Sequence, residues 1–506
     1  MTEELFNNYI NKEIGQFIFP FLIFTLILIV FKIVIIYDFW FGLIIILGIL
    51  SLLIKQKQNL FYLFIISLPF SGETWMYDFL FHIKISYLTF CFVFISFIYE
   101  KIRKQDFSIT ITSIDFPLFL FLLVAVISVF QTAYISKNPF IILGAFRNYP
   151  WIKGISRILL LIFMIIIYYV TVDIIKEKEV FKKSLIFFII TSVLVSLYGI
   201  IGYTLHSINS SLYLSLFAET MTMTRIKSVF NEPLFLGNYL LSIIPLVYCL
   251  LVARVKYIKN KFLFISAIIL TITLFLTESR GAWFGYIVFM LIFIIVYWRI
   301  LFKVALTVSV YLVLLFVFIL LIDFQFFNCD LTNNINTKSI NIINAIYFPL
   351  AGAIDPTLPK FWSTRVRVWS IESAFNLFKQ YPILGIGYSN YGFYSGMRVY
   401  KGLYPNAINI SEVNNYPVSV LVEMGLVGLM VLLWLTWRIF KNALYKLFHE
   451  FNNVKRTLII GYALCLLGIC AHLMFFSYIM SAYIWVMLGM MMSLCDIKTI
   501  IIKRLP

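Results

Sequence analysis

Charged residues are scarce in this sequence. Asp, Glu, Lys and Arg make up 12% of the 506 residues, whereas hydrophobic residues make up 62%. A soluble globular domain carries about twice that fraction of charge. Apolar runs long enough to cross a bilayer recur along the chain, and each must be a helix because its backbone groups have to be satisfied internally. The sequence therefore predicts an all-α polytopic membrane protein.

Residues that form disulfides or bind metals are also few. Of the six cysteines, only Cys329 lies outside the apolar runs, and no CxxC pair is present. The four histidines are scattered along the chain. These counts predict no disulfide framework, no metal site and no cofactor. Residues 1–16 are acidic and polar, and no small-residue cleavage site follows, so we expect no removable signal peptide.

The apolar runs predict fourteen membrane spans, and the shortness of the second and third leaves twelve as the alternative. The spans are 16–36, 39–54, 59–70, 84–99, 115–135, 156–175, 184–205, 233–253, 262–276, 281–298, 303–322, 417–437, 457–475 and 479–495. Basic clusters follow in alternate connections, including 55–57, 100–104, 176–183, 254–261 and 438–456. The positive-inside rule makes that side cytoplasmic, together with both termini. Because this rim explains the net charge of +17, nucleic acid is not an expected partner.

The opposite side carries the longer connections, of which 323–416 is the largest. A loop of that length is usually functional. Within it, residues 361–382 have apolar residues at helical spacing and end at Pro382, which predicts a helix lying at the membrane interface. The chain thus divides into N-terminal spans over 1–205, central spans over 206–322, the large outer loop, and C-terminal spans over 417–506.

Positive charge on the outer side works against the topology and needs a reason. Arginine there can anchor a helix end, but its planar guanidinium also matches the geometry of phosphate. We therefore predict a site for a phosphate-rich anion on the outer leaflet. Its expected binding residues are Arg225, Lys227, Arg280, Arg365 and Arg367, of which the last two diverge from each other, so that only one faces the site. The glycine-rich stretch 381–392 is a weak phosphate-binding signal, and a turn is the favoured interpretation.

Four motifs, in order, carry a resemblance to a known family: RIKSVFNEPLFLGNYL, TESRGAWFG, RVRVWSIESAFNLFKQYPILGIGYSNYG and NNYPVSVLVEMGLVGLMVLLWL. Together they resemble the O-antigen ligase and polymerase superfamily over about two-fifths of the chain, residues 225–437. The resemblance implies a GT-C-type glycosyltransferase of the bacterial inner membrane. Such an enzyme transfers a glycan from a polyprenyl diphosphate carrier on the outer leaflet, without a metal. Fixed arginines would stabilise the charge that develops on the departing diphosphate.

The sequence departs from the family pattern at one position. The family commonly carries a His–Asn pair after the large loop, and here the pair reads Asn414–Asn415. Asparagine orients a hydroxyl but takes no proton. Glu412 is the nearest ionisable residue, so the expected catalytic residues are Glu412, Asn414 and Arg280. The expected supporting residues are Glu232, Glu278, Asn415, Glu423 and Tyr388.

For the carboxylates, a salt bridge to a neighbouring arginine is the alternative to a catalytic role. Glu423 lies inside the next span, where an ionisable residue indicates a functional site or a pairing with another helix. Glu278 lies two residues before Arg280, and Glu232 lies in the same predicted outer loop as Arg225.

The missing histidine favours a polymerase, which joins lipid-linked repeat units into a surface polysaccharide such as that of lipopolysaccharide. The alternative is a ligase that transfers the glycan to lipid A-core or to protein. A polysaccharide flippase is the alternative of another class, although the chain shows no two related halves. The expected partners are a polyprenyl-diphosphate-linked oligosaccharide, a growing glycan or lipid A-core acceptor, and membrane lipids. A separate regulator of chain length stays open.

Overall fold

The chain is described by a computed structural model. It covers residues 19–25, 48, 55–70, 84–106, 108–135, 150–207, 220–222, 225–255, 257–300, 362–395, 412–495 and 498–500. The candidate span 303–322 and most of the spans 16–36 and 39–54 therefore lie outside the described residues, as do residues 323–361 and 396–411 of the large outer loop.

Helices dominate the described part of the chain. In order they are α1 (Lys57–Ser67), α2 (Ile85–Arg103), α3 (Asp115–Ile135), α4 (Pro150–Ile174), α5 (Lys178–Ser207), α6 (Pro233–Leu241), α7 (Ile244–Ala253), α8 (Asn260–Leu276), α9 (Arg280–Ile300), α10 (Trp362–Gln380), α11 (Tyr391–Ser395), α12 (Tyr416–His449), α13 (Asn453–His472) and α14 (Ala482–Cys495).

The prediction of an all-α polytopic membrane protein is confirmed. By length and composition, eight stretches of the described chain can cross a membrane, with α6 and α7 taken together as one. Two shorter apolar helices, α8 and α14, accompany them. The helix predicted over 361–382 is present as α10 and ends just before Pro382.

Two predicted spans have a different form in the structure. The span 233–253 is broken at Ser242–Ile243 into α6 and α7, since Pro245 in the first turn of α7 cannot donate to a continuous helix. The span 417–437 is part of the longer α12, which runs on through the basic stretch to His449 and is interrupted at Gly425.

Within the described residues, two short antiparallel strand pairs accompany the helices. β1 (Ile109–Ile111) pairs with β4 (Lys498–Ile500), and β2 (Met221–Thr222) pairs with β3 (Arg225–Ile226). The second pair sets Arg225 opposite Thr222 just before α6. It therefore fixes the backbone of Arg225.

The helices pack closely where small residues face each other. α13 lies against α7, and α12 lies against α3. A Cβ atom added at Gly285 in α9 would come within 2.5 Å of the Gly468 carbonyl oxygen in α13. One added at Gly281 would come within 2.9 Å of the His472 ring. Small residues at a helix crossing allow such an approach in a membrane, so the beginning of α9 rests on the end of α13.

Candidate functional site

Arg225, Arg280 and Arg367 form what we call the arginine cluster. Arg280 is the first residue of α9. The Ser279 hydroxyl caps this helix by accepting the Ala282 amide N–H at 3.4 Å. Arg225 reaches the same turn from β3, where its Nε donates to the Thr277 carbonyl at 3.0 Å and its terminal nitrogen to the Glu278 carbonyl at 3.2 Å. The positive end of the α9 dipole thus adds to two neighbouring guanidinium groups.

Arg367, on α10, completes the cluster. Burial lowers the pKa of Arg367, and repulsion from Arg280 and Arg225 lowers it further. Burial likewise lowers the pKa of Arg225, where the opposing attraction of Glu278 exceeds the repulsion from Arg280. Three positive groups from three separate elements therefore lie within electrostatic range of one another.

The other predicted binding residues lie around this cluster. Arg365 is in the first turns of α10, and its side chain lies outside what the structure describes. Lys227 follows β3 with a half-buried side chain. Glu232 and Glu278 are exposed, and both attract Arg225. Glu278 has a φ of 48°, a left-handed conformation that its carbonyl bond to Arg225 helps to hold.

A second cluster of polar residues lines a small cavity, which we call the carboxylate cavity, and it includes the predicted catalytic residue Glu412. The cavity has a volume of about 50 Å³. Its polar lining residues are Arg157, Tyr388, Ser389, Glu412, Tyr416, Ser419, Glu423, Ser477 and Tyr478. The Ser477 hydroxyl donates to the Glu412 carboxylate at 2.7 Å. Glu412 and Tyr388 therefore share one cavity, whereas Arg280 belongs to the arginine cluster.

Two basic residues of this region were missed by the sequence reasoning. Arg157 lines the carboxylate cavity, and Lys153 lies within electrostatic range of both Glu412 and Glu423. Both are in the first turns of α4, on the side predicted to be outer. The same rule that selected Arg225 and Arg280 would have found them, had it been applied to residues 147–157.

Asn414 and Asn415 open α12 with different surroundings. The Asn415 side-chain oxygen accepts the Val418 amide N–H at 3.1 Å and caps the helix, and its amide nitrogen donates to the Met474 carbonyl at 3.0 Å. The structure thus gives Asn415 a positioning contact at both polar atoms. The Asn414 side chain is half-buried beside it.

The segment 473–481, between α13 and α14, touches both polar groups. It holds the start of α12 through the Leu473 carbonyl, which accepts the Tyr416 amide N–H at 2.9 Å, and it bears the Ser477 hydroxyl on Glu412. At the other side, Phe475 lies against Gly281, next to Arg280. The arginine cluster and the carboxylate cavity are therefore joined by one stretch of chain. The sequence prediction placed most of it inside the spans 457–475 and 479–495, whereas α13 ends at His472 and α14 begins at Ala482.

The glycine-rich stretch 381–390, which we call the glycine clasp, packs into the break in α12. Its Ile386 and Gly387 amides donate to the Val422 and Glu423 carbonyls at 3.0 and 2.9 Å. The Leu426 amide, freed by the break, donates to the Pro382 carbonyl at 2.9 Å. The clasp thus replaces the helical hydrogen bonds that Gly425 interrupts, in line with a turn rather than a phosphate loop.

Glu423 lies at the centre of this contact. Its carboxylate oxygens accept the amide N–H groups of Ser389 at 2.9 Å and Tyr391 at 3.2 Å. The side chain is nearly fully buried, with 7% of its surface exposed. A buried carboxylate needs such donors, so the immediate role of Glu423 is to fix the clasp against α12.

No group of three or more His, Cys, Asp or Glu side chains in the described part of the chain is arranged to hold a metal ion.

Residues 265–433 match a protein-family model described as O-antigen ligase. The matched region includes Arg280, Arg367, Glu412 and the glycine clasp. Among curated proteins, none matches the chain.

Proposed function

Because the chain belongs to the O-antigen ligase and polymerase superfamily, we propose that it is a metal-independent glycosyltransferase that uses a polyprenyl-diphosphate-linked glycan. We place the reaction at the outer leaflet of the bacterial inner membrane, with both termini in the cytoplasm. The orientation follows from the distribution of basic residues between the two sides.

The arginine cluster is the observation that carries this proposal. Burial lowers the pKa of Arg367, repulsion from Arg280 and Arg225 lowers it further, and no carboxylate in the described part of the chain is among the groups that act on that pKa. Bringing such groups together costs free energy that a bound anion would offset. A diphosphate fits, since its oxygens accept bidentate hydrogen bonds from guanidinium groups.

The chemistry follows from this placement. An acceptor hydroxyl attacks the anomeric carbon of the donor sugar, the carbon–oxygen bond to the diphosphate breaks, and the bonding electron pair stays on the diphosphate. The arginine cluster stabilises the added negative charge. Glu412 in the carboxylate cavity is our candidate to take the proton of the acceptor hydroxyl, with Asn414 orienting that hydroxyl.

Polymerisation of repeat units is our first choice of reaction, because Asn414 stands where ligases of this family commonly carry histidine. Ligation to lipid A-core or protein is the second candidate, favoured by the description of the matched family as O-antigen ligase. The two reactions share the donor and differ in the acceptor.

The test supplies the purified protein with lipid-linked repeat units alone, in detergent with a metal chelator present. We expect a ladder of chain lengths on a gel. A single product that forms only after addition of lipid A-core or protein would identify a ligase instead. Complete dependence on a divalent ion would contradict the proposed mechanism.

Arg280→Ala is the matching variant. We expect it to lose turnover while the thermal unfolding temperature stays near that of the wild type, because its exposed side chain adds little to packing. Wild-type activity in this variant would show that Arg280 has no role in the proposed site. Transport of the lipid-linked glycan across vesicles without chain growth would favour a flippase.

A further inference from the structure

His472, the last residue of α13, has no role in the proposal so far. Its ring is fully buried and stacks on Phe476, with ring centroids 5.2 Å apart. Its Nδ1 lies 2.7 Å from the Asn238 amide nitrogen, and the Asn238 oxygen accepts the Tyr483 hydroxyl at 2.8 Å. Three helices, α6, α13 and α14, thus fix the orientation of one imidazole.

This network sets the position of the ring proton. The Tyr483 hydroxyl donates to the Asn238 oxygen, so the Asn238 amide nitrogen faces Nδ1 and donates to it. Nδ1 must then be an acceptor, which excludes an imidazolium because that form carries a proton on both nitrogens. A neutral ring with a bare Nδ1 has its proton on Nε2. His472 therefore presents an N–H donor at Nε2.

That donor is unsatisfied within the described part of the chain. Nε2 is buried and has no hydrogen-bond partner there. An unpaired buried donor is costly and calls for an explanation, such as a catalytic role or a missing ligand.

The same edge of the ring points toward the arginine cluster. A Cβ added at Gly281 would lie 2.9 Å from Cδ2 and 3.3 Å from Nε2, so this edge faces the residue directly after Arg280. Arg367 lies within electrostatic range of the ring. An anion held by Arg280 and Arg367 would therefore lie beside the unpaired N–H.

We infer that His472 is a diphosphate-binding residue whose Nε2–H donates to an oxygen of the polyprenyl diphosphate bound by the arginine cluster. The inference rests on the proposed function and adds a residue to its donor site. It assigns His472 the role of a hydrogen-bond donor to the leaving group, distinct from that of a base. An N–H held ready in a water-poor site stabilises developing charge without reorganisation.

The experiment compares His472→Ala, His472→Gln and His472→Asn in the full-length protein. The amide nitrogen of Gln can occupy the position of Nε2, whereas the shorter Asn reaches only the position of Nδ1. Binding of geranyl diphosphate, a short soluble polyprenyl diphosphate, is measured by calorimetry in detergent, and turnover is measured with lipid-linked repeat units.

We expect His472→Ala and His472→Asn to weaken binding of the probe by about tenfold, the usual effect of losing one hydrogen bond to a charged group. His472→Gln should stay within about threefold of the wild type in both binding and turnover, because it keeps a donor. If the alanine variant does not fold, the comparison of Gln with Asn gives the same answer.

Four results would overturn the inference, the last of them together with the proposed function. Equal binding by all variants would show that Nε2 does not touch the diphosphate. Normal binding with lost turnover in His472→Gln would identify a base instead of a donor. Loss of binding in Arg367→Ala together with wild-type binding in His472→Ala would reject the role of His472 and leave the proposed role of the arginine cluster in place. A wild-type protein that does not bind geranyl diphosphate would reject the proposed function as well.

Discussion

At the scale of single residues, the members of the arginine cluster differ in what their guanidinium groups contact. Arg225 donates to the carbonyl groups of Thr277 and Glu278 and so braces the turn before α9. Arg367 is half-buried and is repelled by its two neighbours. We therefore expect Arg225 to contribute to both folding and binding, and Arg367 to contribute mainly to binding.

Arg367→Ala tests this division. We expect a loss of about 10²-fold or more in kcat, the usual effect of removing one donor that faces developing charge. Arg367→Lys should recover only part of the activity, because an ammonium group lacks the planar fork. The unfolding temperature should not fall, since removing Arg367 relieves repulsion.

Arg225→Ala and Arg299→Ala are the matched comparisons. The first should lower both activity and the unfolding temperature, because two backbone carbonyls lose their donor. The second removes an exposed arginine at the far end of α9 and should leave both quantities unchanged. Similar behaviour of Arg225→Ala and Arg367→Ala would contradict the division of roles.

At the scale of elements, the glycine clasp and the broken α12 depend on each other. Gly385 and Gly425 both have φ of 69°, a conformation that other L residues rarely adopt. A Cβ on Gly425 would lie 2.1 Å from the Ile383 carbonyl oxygen, and one on Gly385 would lie 2.4 Å from the Glu423 carbonyl carbon. Neither backbone can move without releasing the other.

Gly425→Ala should therefore destabilise the protein by about 1–3 kcal/mol or more, and it should reduce turnover by displacing Glu423 and the carboxylate cavity. Thermal unfolding in detergent measures the first effect and the ladder assay the second. Gly468→Ala is the control, because its nearest neighbours would lie at 3.4 Å, an ordinary contact. Equal stability of the two variants would contradict the mutual dependence of the glycine clasp and the break in α12.

At the scale of the whole molecule, charged and polar residues that are distant in sequence contact one another. Lys57 pairs with Glu100 at 2.6 Å, Gln58 donates to Glu177 at 3.0 Å, and Lys101 lies 3.7 Å from Asp173. Three of the predicted cytoplasmic connections thus lie together. This grouping supports the proposed sidedness, with the arginine cluster on the outer side.

Cysteine labelling checks that orientation. In a cysteine-free background, Glu278→Cys should react with an impermeant maleimide applied from the periplasmic side, whereas Lys441→Cys should react only after the inner membrane is permeabilised. Both positions are exposed in the structure. The reverse labelling pattern would show that the proposed membrane orientation is inverted and that the proposed donor site does not face the outer leaflet.

The sequence predicted those parts of the fold and of the candidate site that depend on local pattern. Apolar length predicted most of the described spans, and the sidedness rule selected Arg225, Arg280 and Arg367. The predicted span 233–253 also begins at Pro233, the first residue of α6, where proline is well tolerated.

The remaining features depend on contacts between residues far apart in the chain. Gly425 is one glycine in an apolar run, and only the approach of the clasp makes its conformation necessary. His472 stands at the end of a span with no motif around it, and its tautomer depends on Asn238 and Tyr483, which lie on other helices. Composition and spacing carry no information about such contacts between residues on different elements.

The segment 473–481 has a consequence for how this enzyme can change. It borders the proposed donor site through Phe475 and the proposed acceptor site through Ser477, so its length and course are shared by both. A substitution that widens one side to admit a different glycan shifts the wall of the other. Acceptor preference and donor preference are therefore expected to change together, and a chimeric protein that exchanges only one of them should be hard to obtain.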